Sequence, residues 1–304
     1  EYFAGLPPDP LKRPLDFLSA ASLALEGRAD ERLWEGLSER FDKPEASMFY
    51  GFEAMACLQY AGDRLPPAIR EKGRKALTET LIPRGDTENH WVLYYATQML
   101  AAQTWPDTPP SRWATGKTSQ ELYDEARGWL MHWSRLTATK GQGEFDSPHY
   151  ILMFVTPMLM LHDHAQDPEV RRVAGMSLDL LLADYLTESL VGAYCGGHSR
   201  SVEPGVLEGR DDRVAAYHYL YAGGIELPEP VHSWLVPAAH SAYRPPAQFV
   251  AMANRRPGPY VQTEVKRVRN VIRYSAELNP HVFKTDYMTP GWCLGSMQGG
   301  SCSR

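Results

Sequence analysis

Apolar residues recur every three to four positions from about residue 14 to about residue 190, which is the spacing expected of helices that bury one side. Segments rich in Gly, Pro and Asp, such as "GRAD", "DKPE", "IPRGDT" and "AQDPE", interrupt the pattern and mark helix ends. Asp86 or Thr87 suits an N-cap, and Pro168 suits a first helical turn. The pattern predicts helices at residues 14–26, 30–41, 45–61, 67–81, 87–104, 118–138, 149–165 and 168–189.

Consecutive helices of this length, joined by alternating short and long connections, are typical of helical hairpins. A row of hairpins either stacks into a solenoid or closes into a ring. The sequence has no repeat of 34 or 40 residues, which a regular solenoid would need. We therefore expect an (α/α) toroid of helical hairpins, with loops and helix ends around its pit.

The pattern changes after about residue 190. The Gly-rich segment "GAYCGGHSRSVEPGVLEGRDD" precedes short predicted helices at 211–222 and 245–254. From Val261 apolar and polar residues alternate in part, and "HVFKTDYMTP" predicts a second strand. The predicted fold is mainly α, with a helical domain at residues 1–255 and, at residues 256–304, the start of an antiparallel β domain that we expect to be truncated.

Charge narrows the functional classes. The chain of 304 residues has 31 Lys and Arg against 37 Asp and Glu, and this net charge of −6 argues against nucleic-acid binding. No apolar run is long enough to span a membrane, and the N-terminus lacks the layout of a signal peptide. The segment from Arg244 to Arg273 contains seven basic residues and a single acid, Glu264. Such a composition suits either a site for an anionic ligand or a solvated strand face.

The four cysteines are too few and too scattered for a disulfide framework. Cys293 and Cys302 could pair, but their spacing does not decide it. Adjacent residues of a helix point about 100° apart, so "LHDHAQD", with His162, Asp163 and His164, is a poor metal site, and we predict no metal.

Two predicted helices begin with more polar chemistry than a cap requires. "TENH" places Asn89 and His90 in the first turn of one helix, where free N–H groups favour an anion. "GQGEFDSPHY" leads into another helix and carries Glu144, Asp146, His149 and Tyr150. The simplest interpretation is that these residues are caps and turn formers. In a ring of hairpins, however, both helix starts would face one pit.

Two further segments carry candidate side chains. "CGGHSR" presents His198 and Arg200 on a glycine-rich loop, which is suited to closing over an anion and is equally common as a surface turn. "YHYLYAGG" contains Tyr217 and Tyr221, which share a helix face and are either stacking surfaces or core residues. No GxSxG, Walker A or GxGxxG sequence is present.

The Asn-His pair that opens a helix, a Tyr about sixty residues later and the change from helices to strands resemble polysaccharide lyases. These enzymes, which include heparinase-like and alginate lyases, are built as an (α/α) toroid followed by an antiparallel β-sandwich. The resemblance covers roughly residues 14–290 in layout and is specific at "ENH", "GEFDSPHY" and "GGHSR". Only the first strands of a sandwich are predicted here, and the helices are fewer than a ring of six hairpins contains.

The resemblance implies β-elimination on a uronic-acid-containing polysaccharide. Asn89 would neutralise the uronate carboxylate, His90 would be its partner or the base, and Tyr150 would act as base and acid. His198 and Arg200 would be a further base and a substrate clamp. The substrate-binding residues expected on this basis are Trp91, Glu144, His149, Arg200, Tyr217 and Tyr221.

The resemblance also implies an anionic polysaccharide or oligosaccharide as partner, no cofactor, no membrane or nucleic-acid partner, and a periplasmic or secreted location. Two alternatives remain open at the level of sequence. One is a glycoside hydrolase on the same toroid, with Glu88, Glu144 or Asp146 as the paired carboxylates. The other is a non-catalytic helical protein that binds carbohydrate or acts as a scaffold.

Overall fold

The computed structural model describes residues 16–201, 209, 213–229, 231–256, 258–267 and 281–299. Helices occupy most of this chain, and a small antiparallel sheet follows them, as predicted. The long helices of the described part are α1 Phe17–Leu25, α2 Glu31–Asp42, α3 Met48–Ala61, α4 Pro67–Glu79, α5 Glu88–Thr104, α6 Ser119–Lys140, α7 Leu152–His164 and α8 Pro168–Glu188. Each lies within a few residues of a helix that the sequence predicts.

The helices form an inner and an outer layer. Helices α1, α3, α5 and α7 pack side by side in chain order, and α2, α4, α6 and α8 lie outside them as the second members of hairpins. A short helix, α10 (Val236–His240), contacts both α7 and α1 and so closes the inner row. Helix α11 (Ala247–Asn254) extends the outer layer by packing on α8. This is the (α/α) arrangement that the row of hairpins predicts.

Burial explains which helices lie inside. Helices α3 and α7 are buried around nearly their whole circumference, and their sequences are almost continuously apolar. Helix α2 instead buries a single stripe, Leu33, Leu37 and Phe41, at a spacing of four residues. A helix with one apolar stripe has one side for the core and one for solvent, so it belongs in the outer layer.

Short elements lie between the long helices and between the helices and the sheet. A hairpin of two-residue strands, β1 (Ser189–Leu190) and β2 (Ala193–Tyr194), follows α8 directly, and β2 falls in the Gly-rich segment, for which the sequence predicts no strand. Helix α9 is Ala215–Tyr221, and 3₁₀ turns are at Gly62–Arg64, Pro110–Arg112 and Ser233–Leu235. No helix among the described residues is long and apolar enough to cross a lipid bilayer.

The sheet has the order β3–β4–β5 and is antiparallel: β3 is Tyr260–Arg267, β4 is His281–Met288 and β5 is Cys293–Gln298. The sequence predicts β3 and β4 and misses β5. The predicted domain boundary at 255/256 falls between α11 and β3. Side chains alternate in burial along β4: Lys284 and Asp286 are buried, whereas Phe283 and Tyr287 are exposed. The buried face of β4 therefore carries two charged side chains between the apolar Val282 and Met288, whereas large apolar side chains lie on its exposed face.

Candidate functional site

Helix α5 begins at Glu88 without an ordinary cap. Thr87 occupies the N-cap position, but its side chain accepts no hydrogen bond from the helix. A carboxylate from a distant loop replaces it: Oε2 of Glu144 accepts the backbone N–H of Asn89 at 2.9 Å and the Asn89 side-chain amide at 2.6 Å. Both residues are buried. The free N–H groups and the dipole of the helix favour an anion at this position.

The carboxylate of Glu88 returns the contact. Its Oε2 accepts the backbone N–H of Gly143 at 2.9 Å and of Glu144 at 2.7 Å. Its Oε1 accepts the indole N–H of Trp133 at 2.8 Å and a hydrogen bond from the guanidinium of Arg267 on β3. We call this reciprocal contact of Glu88 and Glu144 the carboxylate clamp. It joins the start of α5, the loop before α7 and the sheet.

Glycine permits the close approach of these segments. A Cβ on Gly143 would lie 2.7 Å from Oε2 of Glu88 and 3.0 Å from Nη1 of Arg267. Gly141 has a φ of 80°, and a Cβ there would lie 2.1 Å from the carbonyl oxygen of Val265. Both glycines of "GQG" are therefore required by contacts with remote parts of the chain, and Gly141 also has a backbone conformation that other residues adopt at a cost.

Arg200 connects the carboxylate clamp to more accessible side chains. Its Nη1 donates to Oε1 of Glu144 at 3.0 Å, and its guanidinium lies 3.9 Å from the centroid of the Tyr150 ring. The Arg200 side chain keeps 31% of its exposure, whereas that of Glu144 keeps none. The His149 ring packs edge-on against Tyr150, with 4.9 Å between the centroids. A cation over an aromatic face is held by the ring quadrupole. Arg200, Tyr150 and His149 thus form the half-buried outer part of the site.

The protonation of Glu144 depends on opposing influences. Burial raises the pKa of this carboxyl group, the hydrogen bond from the Asn89 N–H lowers it, and the neighbouring Glu88 raises it. The guanidinium of Arg200 lowers it again, and the net direction is upward. Glu144 is therefore more readily protonated than an ordinary glutamate, although its oxygens accept hydrogen bonds from two neighbours.

The three residues that follow Glu88 point to different neighbours. Asn89 belongs to the carboxylate clamp and is fully buried. The His90 ring instead meets Phe49 edge-on, with 5.3 Å between centroids, and its Nδ1 is 2.5 Å from where a Cβ on Gly85 would lie. Trp91 donates its indole N–H to the carbonyl of Gly85 at 3.1 Å. Of this predicted group, Asn89 is the residue that the structure brings to Glu144.

The two tyrosines of "YHYLYAGG" lie in the helical core. Tyr217 is fully buried, and its hydroxyl lies 2.9 Å from Oγ1 of Thr156 on α7. Its ring is parallel to that of Tyr221, with 6.0 Å between the centroids. Burial raises the pKa of Tyr217. This is the placement expected of core residues, which the sequence left open as the alternative to stacking on a sugar.

His198 lies close to Arg200 in sequence but contacts a different group. Its ring meets Tyr194 edge-on, with 5.6 Å between centroids. Burial lowers the pKa of His198, and the nearby Asp146 opposes this shift. His198 therefore borders a second set of buried charges, which we call the lysine cluster: Asp146, Asp184, Glu188, Glu264, Lys266, Lys284 and Asp286.

Lys266 occupies the centre of three carboxylates in the lysine cluster. Its Nζ lies 3.2 Å from Asp146, 2.6 Å from Asp184 and 2.9 Å from Glu264. The oxygens of these three acids lie within 4.8 Å of one another, a spacing that would suit a metal ion. The ammonium group holds the position that such an ion would take. Burial raises the pKa of Asp184 to about 7, although Lys266 opposes this shift.

Lys284 is the second cation of the lysine cluster. Its Nζ lies 2.8 Å from Asp146 and 3.0 Å from Asp286, and it also pairs with Glu188 at the end of α8. Burial and the negative charge of Asp146 raise the pKa of Glu188, and the ammonium group of Lys284 opposes them. The cluster has five acids and two lysines, so its acids outnumber the lysines that neutralise them.

The buried basic residues correct the interpretation of the basic segment between Arg244 and Arg273. Lys266 and Arg267 are almost fully buried and pair with carboxylates of the helical part of the chain. They are neither a solvated strand face nor a surface for an anionic ligand. Arg269 and Arg273 lie outside the described residues. One feature of the sequence could have indicated buried charges in the sheet: Lys284 and Asp286 alternate with Phe283, Thr285 and Tyr287 along β4, which places both charges on one face.

No protein-family model, curated protein or solved structure matches the chain. The features that bear on function are therefore those of the chain itself, above all the contacts of Arg200 with Glu144 and Tyr150.

Proposed function

We propose that the protein is a polysaccharide lyase that cleaves a uronic-acid-containing polysaccharide by β-elimination. The observation that carries the proposal is the position of Arg200. Its guanidinium is anchored on the buried Glu144, lies over the ring of Tyr150 and remains partly exposed. A fixed, partly exposed guanidinium beside a phenol combines a carboxylate ligand with a group that transfers protons.

Each step of β-elimination needs one of these groups. A base removes the C5 proton next to the uronate carboxylate, the electron pair forms the C4=C5 double bond, and the C4–O bond breaks. Arg200 would stabilise the negative charge that develops on the carboxylate. Tyr150, with His149 beside it, is the candidate for removing the C5 proton and for protonating the leaving oxygen.

Asn89 takes a supporting role in this proposal. Because its amide is fully buried against Glu144, it positions the carboxylate that anchors Arg200. Direct binding of the substrate carboxylate by Asn89 stays a prediction, as do the roles of His90 and His198, which face other neighbours. A polymeric substrate also supports our expectation of a periplasmic or secreted location.

The proposal is tested by incubating the protein with alginate, glucuronan, ulvan and glycosaminoglycans and recording the ultraviolet absorbance of the unsaturated product. We expect Tyr150→Phe to lower kcat by about 10²–10⁴-fold, since that is the usual contribution of a general acid or base. Arg200→Lys should lower kcat/KM by about 10²-fold or more, because lysine cannot keep the same geometry. Tyr219→Phe, at an exposed tyrosine, is the matched control.

A glycoside hydrolase is the second candidate, and the raised pKa of Glu144 favours it, since a general acid must hold a proton. One observation speaks against a hydrolase: Glu144 and Glu88 are both buried, and each carboxylate already accepts a backbone N–H from the other's segment, so neither is open to a substrate. A hydrolase would release reducing sugars without an unsaturated product, and Glu144→Gln would abolish the reaction while Tyr150→Phe spared it. If no polymer yields either product, a non-catalytic binding protein is the remaining hypothesis.

A further inference from the structure

A glycine loop, residues 195–201, runs along one side of β5. A Cβ on Gly295 would lie 2.7 Å from the Cα of Gly196, so the two backbones are in direct contact. One residue further along the loop, a Cβ on Gly197 would lie 2.6 Å from Cγ of Met297. Loop positions 196 and 197 therefore face strand positions 295 and 297.

The same alternation places two cysteines opposite each other. Side chains two residues apart on a strand point to the same face, so Cys293 shares the face of Gly295 and Met297. Cys195 directly precedes Gly196 in the loop. The two thiols are close enough for each to shift the pKa of the other, and both are half-buried. The sequence left a pairing of Cys293 with Cys302 open, and Cys302 lies outside the described residues.

We propose that Cys195 and Cys293 are the partners of a redox-reversible disulfide that fastens the glycine loop to β5. This site does not depend on the proposed lyase activity. The two cysteines are 98 residues apart in the sequence, so the disulfide would close a long loop and strongly restrict the unfolded chain. Because Arg200 belongs to the same loop, the disulfide would also tie the outer part of the candidate site to the sheet.

Thiol–disulfide exchange with a low-molecular-weight disulfide such as oxidised glutathione supplies the chemistry. The Cys195 thiolate attacks one sulfur of oxidised glutathione, and one glutathione leaves as a thiolate. The Cys293 thiolate then attacks Sγ of Cys195 and displaces the second glutathione. The two cysteine thiols are oxidised, one glutathione disulfide is reduced to two glutathiones, and the released thiolates take up the protons. The interaction between the two thiols lowers the pKa of Cys195 and raises that of Cys293, which favours Cys195 as the first nucleophile.

The test is peptide mapping of the full chain after incubation with oxidised glutathione and alkylation of the remaining thiols. Trypsin must be combined with chymotrypsin, because no Lys or Arg separates Cys293 from Cys302. We expect a linked peptide pair that contains Cys195 and Cys293 and separates on reduction. Thiol titration of the denatured protein should fall from four thiols to two. The oxidised protein should also melt at a higher temperature than the reduced protein.

Variants separate the alternatives. Cys302→Ser should keep the linked peptide, whereas Cys195→Ser should lose it and lose the difference in melting temperature between the oxidised and reduced forms. A link between Cys293 and Cys302, or glutathione attached separately to Cys195 and Cys293, would overturn the proposal. The mapping on the unmodified chain needs no variant to fold, and it gives the same answer whether or not the protein is a lyase.

Discussion

Glu88 and Glu144 hold each other in place. The carboxylate of Glu88 accepts the backbone N–H of Glu144 at 2.7 Å, and the carboxylate of Glu144 accepts the N–H of Asn89, the residue after Glu88, at 2.9 Å. Two like charges are tolerated here because backbone donors, Arg267 and Arg200 surround them. The position of Arg200, and with it the candidate site, follows from this contact.

Glu88→Gln should destabilise the fold. Glutamine keeps the shape of the side chain but leaves the buried guanidinium of Arg267 without its counter-charge, and breaking a buried pair costs about 3–5 kcal/mol. The measurement is the free energy of unfolding in urea. Glu39→Gln, which breaks an exposed pair with Lys43, is the matched control and should change little. Equal effects of the two substitutions would contradict the inference that the buried pair of Glu88 and Arg267 stabilises the fold.

Two glycine-to-alanine substitutions should have opposite effects. Gly143→Ala places a Cβ 2.7 Å from Oε2 of Glu88 and should lower the melting temperature. Gly128→Ala, in α6, meets no atom within 4 Å and should stabilise the protein by about 0.5–1 kcal/mol, because alanine loses less backbone entropy. Differential scanning calorimetry compares them directly. A stabilising Gly143→Ala would mean that the loop is less tightly held than its contacts indicate.

Lys266→Met should make stability depend on a divalent cation. Without the ammonium group, Asp184 and Glu264 lose their nearest cation while Asp146 keeps Lys284, and breaking these buried pairs should cost about 3–5 kcal/mol. Their oxygens lie within 4.8 Å of one another, so Ca²⁺ should bind among them and recover part of the loss. Thermal melts with and without Ca²⁺ provide the measurement. Lys75→Met, at an exposed lysine of α4, should show no response to Ca²⁺ that the unmodified protein lacks.

His232 should make the protein less stable in mild acid. Burial lowers its pKa to about 4, and its Nδ1 accepts the N–H of Trp234 at 3.3 Å, which requires the neutral ring. The unfolded chain has a histidine pKa of about 6.5, so between these values the folded state binds fewer protons than the unfolded state. This contribution to stability is present above pH 6.5 and is lost as the pH falls towards 4, at most about 3 kcal/mol.

Urea unfolding at a series of pH values checks this expectation. His232→Asn keeps a hydrogen-bond acceptor for Trp234 and removes the titrating ring, so the variant should lose less stability between pH 7 and pH 4 than the unmodified protein. His132→Asn, at an exposed position, is the matched control for the substitution. Parallel pH profiles for the unmodified protein and His232→Asn would refute the assignment.

The long helices and their order could be predicted because each buries enough apolar surface to leave a periodic pattern in the sequence. The elements that were missed are short: α10 has five residues, each strand of the β1–β2 hairpin has two, and β5 has six. Segments of this size complete too few turns or alternations for a pattern to appear. Helix α10 is nevertheless the element that closes the inner row.

The residues of the candidate site could also be predicted only in part. The sequence identified Asn89, Glu144, Tyr150 and Arg200, because polar residues at the start of apolar helices and on glycine loops stand out from their surroundings. It could not pair them, since Glu144 lies 55 residues from Asn89 and 56 from Arg200. Nor did it identify Arg267, whose partner Glu88 is 179 residues away.

The sequence by itself determined that the chain forms hairpins of helices followed by strands, because hydrophobic period and capping are local properties. Only the tertiary structure decided that the polar start of α5 is capped by Glu144, and that the basic residues of the sheet are buried against the helical acids. Those contacts join charged residues from distant segments, and the sequence around a charged residue does not show which distant residue will neutralise it.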